Sequence, residues 1–222
     1  VTKTRIDETN TSYAQGGISS VTYAPDNFDK HIEDTLIAGD GLCDEEAVRL
    51  VVQEAPEKIK QLVEWGTQFD RKEDGSFDLH REGGHSEFRI LHHKDNTGAE
   101  IQRALTTMVK NHPNITLLEK YFAIDLITPH HLGKIMEPWM KNNVCHGAYV
   151  LNIKTKQVET FLSKITMLAT GGVGSVYQTT TNPLISTGDG IAMVFRAKGV
   201  IENMEFVQFH PTSLFNPAER PS

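Results

Sequence analysis

Three clusters of residues carry the chemistry legible in this chain. The first is Ala14-Gln15-Gly16-Gly17, a glycine turn in a polar stretch. The second is Arg81-Glu82-Gly83-Gly84-His85, which sets a carboxylate beside two glycines. The third runs from the apolar Ile165–Ala169 through Thr170-Gly171-Gly172 to Gly188-Asp189-Gly190, and then to Gln208-Phe209-His210-Pro211-Thr212. Glycine lets a backbone approach a ligand closely or take positive φ. An apolar run stopped by glycines suits a buried strand ending in a tight turn, and such strand ends are where open α/β sheets hold nucleotides. A carboxylate, an imidazole and rows of unencumbered amides together suit an enzyme built around a large cofactor.

The elements that position these clusters follow from periodicity. Phe28 to Ala38 places apolar residues at helical spacing, with Asp26 or Asn27 as cap and Gly39 as stop. Asp44 caps a second helix that Pro56 is expected to kink or divide, resuming from Ile59 to Trp65. Residues 67–94 are polar and histidine-rich, which predicts a long functional loop with short strands. Thr97 to Lys110 is a third helix, and Gly188 to Ala197 a fourth. Strands are expected at Ile115–Leu118, Phe122–Thr128 and Phe206-Val207 with Phe209. A small antiparallel set is expected from Gly147–Ile153, Val158–Leu162 and Ile165–Ala169.

Composition bounds the function. The 222 residues carry a formal charge of -7, with Lys and Arg scattered, which argues against nonspecific nucleic-acid binding. No apolar run approaches a membrane span and the N-terminus has no signal-peptide core. Two cysteines, Cys43 and Cys145, do not make a disulfide framework, so a reducing, cytoplasmic setting is expected. His80, His85, His92 and His93 lie in no HExxH pattern and beside no cysteine pair, so no metal ligand is assigned; His85 is given to the site loop, His92 and His93 to packing or solvent. Val1 is not an initiator methionine, and the chain reads as an excised piece of a longer one.

Read together, Asn10-Thr11-Ser12-Tyr13-Ala14-Gln15-Gly16-Gly17-Ile18, Arg81-Glu82-Gly83-Gly84-His85-Ser86 and the segment from Ala169 to Thr212 resemble the L-aspartate oxidases of the succinate dehydrogenase/fumarate reductase flavoprotein superfamily. The likeness covers essentially all 222 residues. It implies an α/β fold: a partial FAD-binding Rossmann-like domain over residues 1–203, with a helical and loop insertion at about 26–112, and the start of a substrate-capping domain at 204–222. It implies oxidation of L-aspartate to iminoaspartate, with dioxygen or fumarate as acceptor, as the first step of de novo NAD synthesis, with quinolinate synthase consuming the imine. The cofactor contacts it implies are Lys3, Asn10, Thr11, Ser12, Tyr13, Ala14, Gln15, Gly16, Gly17, Ala123, Thr170, Gly171, Gly172 and Asp189.

Related dehydrogenases carry a flavin-linked histidine just before the first glycine turn. Asn10 to Tyr13 contain none, so FAD is expected to be held noncovalently. Glu82 is the candidate for the substrate ammonium, His210 for a carboxylate, and Thr212 for the same corner. Helix capping is an equal reading for Asp189, and a solvated side chain for Lys3. The pyrophosphate-binding GxGxxG turn and the arginine that moves the proton are expected outside these residues. No catalytic residue is therefore assigned within the chain, and the isolated piece is expected to be inactive, with weak FAD retention and a tendency to dimerise or rearrange. A succinate dehydrogenase or fumarate reductase flavoprotein, and a noncatalytic interaction domain derived from a flavoenzyme, are the alternatives.

Overall fold

The computed structural model describes residues 1–210. They form two compact units, one of Val1–Asn10 with the chain from Thr116 onward, the other of Thr11–Ile115.

In the Thr11–Ile115 unit, helix α1 (Phe28–Ala38) starts where the Asn27 side chain accepts the Lys30 amide and ends at Gly39. Helix α2 (Glu45–Glu64) begins where Asp44 accepts the Ala47 amide. Pro56 does not divide it. The proline removes one intrahelical bond and costs about 3 kcal/mol. Val52 and Ile59, one on each side and both 3 % exposed, share a face whose burial is worth roughly 1.5–3 kcal/mol each and holds the helix through the defect. Helix α3 (Thr97–Asn111) packs Ile101 with Ile59, Phe69 and Leu91 in the core. Two two-residue strands, β2 (Leu79–His80) and β3 (Ile90–Leu91), lie between α2 and α3, and they form a sheet with β1 (Ile18–Ser19), which precedes α1, in the order β1-β3-β2. Both pairings are antiparallel, with Leu91 opposite Ile18 and Leu79, and His80 opposite Ile90.

The other unit is built on a second antiparallel sheet, β4 (Tyr121–Leu126), β5 (Gly147–Asn152) and β6 (Gln157–Leu162), in sequence order. Helix α4 (Asp189–Arg196) lies against β4, burying Met193 and Ala197 with Leu126. Arg196 fastens it by donating to Asp125 and to the Ile124 carbonyl, both at 2.6 Å.

Three expected strands do not form. Ile165–Ala169 runs unpaired, with Ile165 84 % and Met167 86 % exposed. Phe206-Val207 and Phe209 have no ladder either, and Ile115–Leu118 precedes a single parallel bridge between Thr2 and Glu119. Apolar, β-prone residues supply only one side of a strand; its hydrogen bonds need a neighbour, and among the described residues the long-range backbone bond to these runs is that of the Thr2 amide to the Leu118 carbonyl at 2.8 Å, too little for a ladder. No helix among the described residues is long and apolar enough to cross a membrane.

Candidate functional site

In the unit containing β4 and α4, most of the residues singled out converge on the start of α4. Gly188 takes φ of 72° as the residue before the helix, and its amide donates to the Gly172 carbonyl at 3.1 Å. The Gly190 amide, an otherwise unpartnered first-turn donor, is accepted by Thr170 Oγ1 at 3.1 Å. A Cβ on Gly190 would fall 2.1 Å from that hydroxyl, so glycine is required for the approach. Thr170 thus caps the helix, a role that its place in a Thr-Gly-Gly string did not reveal.

Asp189 is the first helical residue, not its cap. Its carboxylate accepts from Lys3 Nζ at 2.5 Å and from Thr187 Oγ1 at 2.8 Å. Lys3 also donates to Thr187 Oγ1 at 2.6 Å, so it is a partner of the α4 start and not a free surface lysine. Asn10 Oδ1 accepts from the buried Ser186 hydroxyl at 2.9 Å. Asn10 Nδ2 lies 2.9 Å from where a Cβ on Gly171 would stand. Gly171 itself has φ of 72°. Lys3, Asn10, Thr170, Gly171, Gly172 and Asp189 therefore form one connected surface, although Lys3 lies 186 positions from Asp189 and Asn10 176 from Ser186. Ala123 sits in β4 against the α4 core. His210 is exposed, at the end of the described chain, and Thr212 lies outside the described residues.

This surface fits a flavin-type group. Met167, Leu168, Ala169, Thr170, Gly171 and Gly172 are all exposed, and nothing lies within 4 Å of a Cβ built on Gly172. Among the described residues the amides of Gly171 and Gly172 donate to no protein acceptor. Exposed apolar side chains followed by open amides match a ring system with apolar faces and an acceptor-rich edge. An apolar cavity of about 710 Å³ adjoins the α4 start, lined by Val173, Thr187, Gly188, Ile191, Phe195 and Met204 among others.

In the Thr11–Ile115 unit, Thr11–Tyr13 form one 3-10 turn. It is pinned to α3, because the Gly98 amide donates to the Ala14 carbonyl at 3.0 Å. Gln15, Gly16 and Gly17 follow in exposed conformation. The two glycines differ in purpose. A Cβ on Gly17 would lie 2.3 Å from the Leu91 carbonyl oxygen, so Gly17 is explained by its packing on β3. At Gly16 the nearest atom to such a Cβ is Glu82 Oε1, 3.9 Å away. Two of the three sequence clusters thus meet: the Glu82 carboxylate faces the first glycine turn.

The turn carrying Glu82 joins β2 to β3, and a residue that the sequence reading passed over holds it. Arg89 is fully buried. Its guanidinium donates to both oxygens of Asp26, at 2.9 and 2.7 Å, and to Asp34 Oδ2 at 2.5 Å. The Ser86 amide and hydroxyl both donate to that same Asp34 oxygen at 2.8 Å. His85 Nδ1 lies 3.3 Å from Arg89 Nη1, and Lys30 ties Glu87 to α1 at 2.5 Å. Burial alone would raise the Asp34 carboxyl, but hydrogen bonds from the Ser86 amide, Arg89 and the Ser86 hydroxyl outweigh it and hold the carboxyl below its ordinary value. Burial opposes the Arg89 charge, yet its two aspartates keep the guanidinium above its usual range. The one available signal was an arginine between Phe88 and Ile90-Leu91, where a charge must find partners.

Comparison with known proteins agrees with the geometry. The family model described as FAD binding domain matches residues 1–221. The chloroplastic L-aspartate oxidase of Arabidopsis thaliana is 53% identical over 214 residues, covering 96% of this chain and 32% of that protein. L-aspartate oxidase 1 of Ralstonia nicotianae is 48% identical over 219 residues, covering 98% of this chain and 40% of that one. The chain therefore spans roughly a third to two fifths of the length of these relatives. Among solved structures, the Mycobacterium smegmatis Sdh1 complex in the apo form superposes with a TM-score of 0.84 at 29% identity, over 98% of this chain and 37% of that one. An E. coli quinol fumarate reductase superposes at 0.79 and 28% identity, over 87% and 31%.

Proposed function

The chain belongs to the FAD binding domain family, and from that premise we propose that it is a portion of an FAD-dependent L-aspartate oxidase, forming iminoaspartate. The flavin, when bound, supplies the hydride acceptor for the aspartate α carbon. The protein's own residues bind, orient and discriminate. Thr170-Gly171-Gly172, Asn10 and the Lys3–Asp189 pair line the cofactor surface in one unit; Gln15, Gly16 and Gly17 offer their amides in the other. Amides aimed at developing negative charge stabilise it without reorganisation. FAD is held noncovalently, because Asn10 to Tyr13 offer no histidine for attachment.

The observation that carries the reading is the Glu82 carboxylate beside Gly16, on a turn fixed by a buried arginine. Aspartate and succinate differ by one ammonium group, and an enzyme choosing aspartate needs an anion there. Such a charge-assisted hydrogen bond is worth roughly 1–3 kcal/mol, or about 5- to 150-fold in selectivity. His210, and Thr212 beyond the described residues, are assigned to a substrate carboxylate. Dioxygen or fumarate serves as acceptor, and the imine passes to quinolinate synthase for NAD synthesis. The parts of the relatives outside this chain complete the active site, so the 222-residue chain alone turns over negligibly.

The test uses the complete polypeptide that contains this chain, loaded with FAD and kept anaerobic. L-aspartate should bleach the oxidised flavin band and succinate should not. Glu82→Gln should lower aspartate oxidation by about 5- to 150-fold while sparing fumarate reduction. Bleaching by succinate alone would move the protein to the dehydrogenase branch, which the solved relatives also represent. Equal loss of both activities in Glu82→Gln would remove the selectivity role.

A further inference from the structure

We propose that Asp78, His80 and His92 form a binding site for a divalent first-row transition ion, zinc above all, bracing the hairpin from which the Glu82 turn projects. One ligand atom from each of the three lies within 4.8 Å of the others. Asp78 and His80 alternate along an extended segment and so share a face, and His92 comes from the adjoining strand end. No local motif announces the set, because it is assembled across the hairpin.

The buried member points to a ligand. The His92 side chain is 8% exposed, yet neither ring nitrogen has a hydrogen-bond partner. Leaving a buried polar atom unsatisfied costs roughly 1–3 kcal/mol, a cost that coordination removes. Nε2 lies 3.9 Å from Asp78 Oδ2, too far for a hydrogen bond. Two ligands on one tetrahedral zinc stand roughly 3.4 Å apart, given bonds of about 2.0–2.2 Å, so a small closure suffices. On the opposite side Asp70 Oδ2 lies 3.3 Å from Nδ1, out of line for a hydrogen bond as it stands. A carboxylate in that place is what orients a metal-bound imidazole, by accepting its second N–H.

The backbone is already organised. The Asp70 amide donates to the His92 carbonyl at 2.8 Å and the Asp78 amide to the Asp70 carbonyl at 3.0 Å, so the two ligand-bearing segments are tied together through Asp70 before any ion arrives. The His80 ring stacks on His92 at 3.7 Å and 22°. Near-parallel rings do not aim their in-plane lone pairs at one point, so ligation requires His80 to turn. It is exposed, and turns without disturbing the core. Two imidazoles and one carboxylate favour zinc, nickel or copper over magnesium or calcium, and leave a fourth position for water.

The experiment titrates the metal-free complete polypeptide that contains this chain with Zn²⁺ by calorimetry, and with Co²⁺ by its visible ligand-field absorption. One ion per chain is expected, with a tetrahedral cobalt spectrum and a raised melting temperature. His80→Ala and Asp78→Asn should each weaken zinc by about 100-fold or more. His112→Ala, an exposed histidine elsewhere in the same unit, should change nothing. Circular dichroism checks that each variant is folded; if His80→Ala is not, Asp78→Asn carries the test. Absence of stoichiometric binding, or zinc affinity unchanged in the two ligand variants, would overturn the proposal.

Discussion

Arg89→Met should be among the most damaging single substitutions in the Thr11–Ile115 unit. The arginine side chain is 0% exposed, and its partners Asp26 and Asp34 are 3% and 14% exposed. Methionine approximates the volume but removes every donor, leaving two largely buried carboxylates without a counter-charge. Breaking one buried pair in this way costs about 3–5 kcal/mol. Against a typical total of about 5–15 kcal/mol, that is a large fraction of the stability. In a chain of this size it corresponds to a melting temperature lower by about 6–20 °C.

The assay is urea unfolding followed by circular dichroism, for R89M and for the triple variant R89M/D26N/D34N. Neutralising the aspartates removes the uncompensated charge, so the triple variant should recover most of the loss. Acid should also narrow the gap. In the parent the folded Asp34 carboxyl is depressed, so its stabilisation is present above the unfolded value, near 3.9, and is lost as pH falls through the folded one. Without Arg89 that depression weakens, and R89M should approach the parent at low pH. An R89M loss under about 1 kcal/mol at neutral pH, or a triple variant no better than the single, would refute the idea of a dry, charged anchor beneath the Glu82 turn.

His31 should set part of the pH dependence of stability. Burial first, then the Arg89 charge and His85, hold its imidazole below the ordinary histidine value. The folded state therefore refuses a proton that the unfolded chain accepts. Its contribution is complete above about pH 6.5 and is lost as pH falls towards the folded value. Melting temperatures between pH 7.5 and 5.5 should fall less for His31→Leu than for the parent, and equal slopes would exclude His31 as a source. Gly98→Ala should destabilise by about 1–3 kcal/mol, even though alanine favours helices. Its Cβ would sit 1.8 Å from the Thr11 carbonyl oxygen, a backbone atom that cannot rotate away. Amide exchange at Gly98 should quicken as its bond to Ala14 is lost, and unchanged exchange would count against the close approach.

Much of this protein follows from short-range rules. Asn27, Gly39 and Asp44 mark helix ends because capping depends on residues three or four apart. The β4-β5-β6 meander is also local, since sequence neighbours pair. The candidate site was legible as residue types: glycines at 16, 171 and 172, a carboxylate at 82, and the polar groups of Lys3, Asn10 and Asp189. Their partnerships were not. The Lys3–Asp189 pair spans 186 positions and the Arg89–Asp26 pair 63, and neither spacing leaves a periodic trace. Ile165–Ala169 shows the same limit from the other side: its composition is that of a strand, but a strand is a property of two segments. The sequence by itself determined the helices, their caps, the local hairpins and the chemical inventory, because each depends on near neighbours. Only the tertiary structure decided that Pro56 is spanned, that Gly17 serves packing while Gly16 faces Glu82, and that Asp78, His80 and His92 meet, because those outcomes depend on which distant surfaces burial brings into contact.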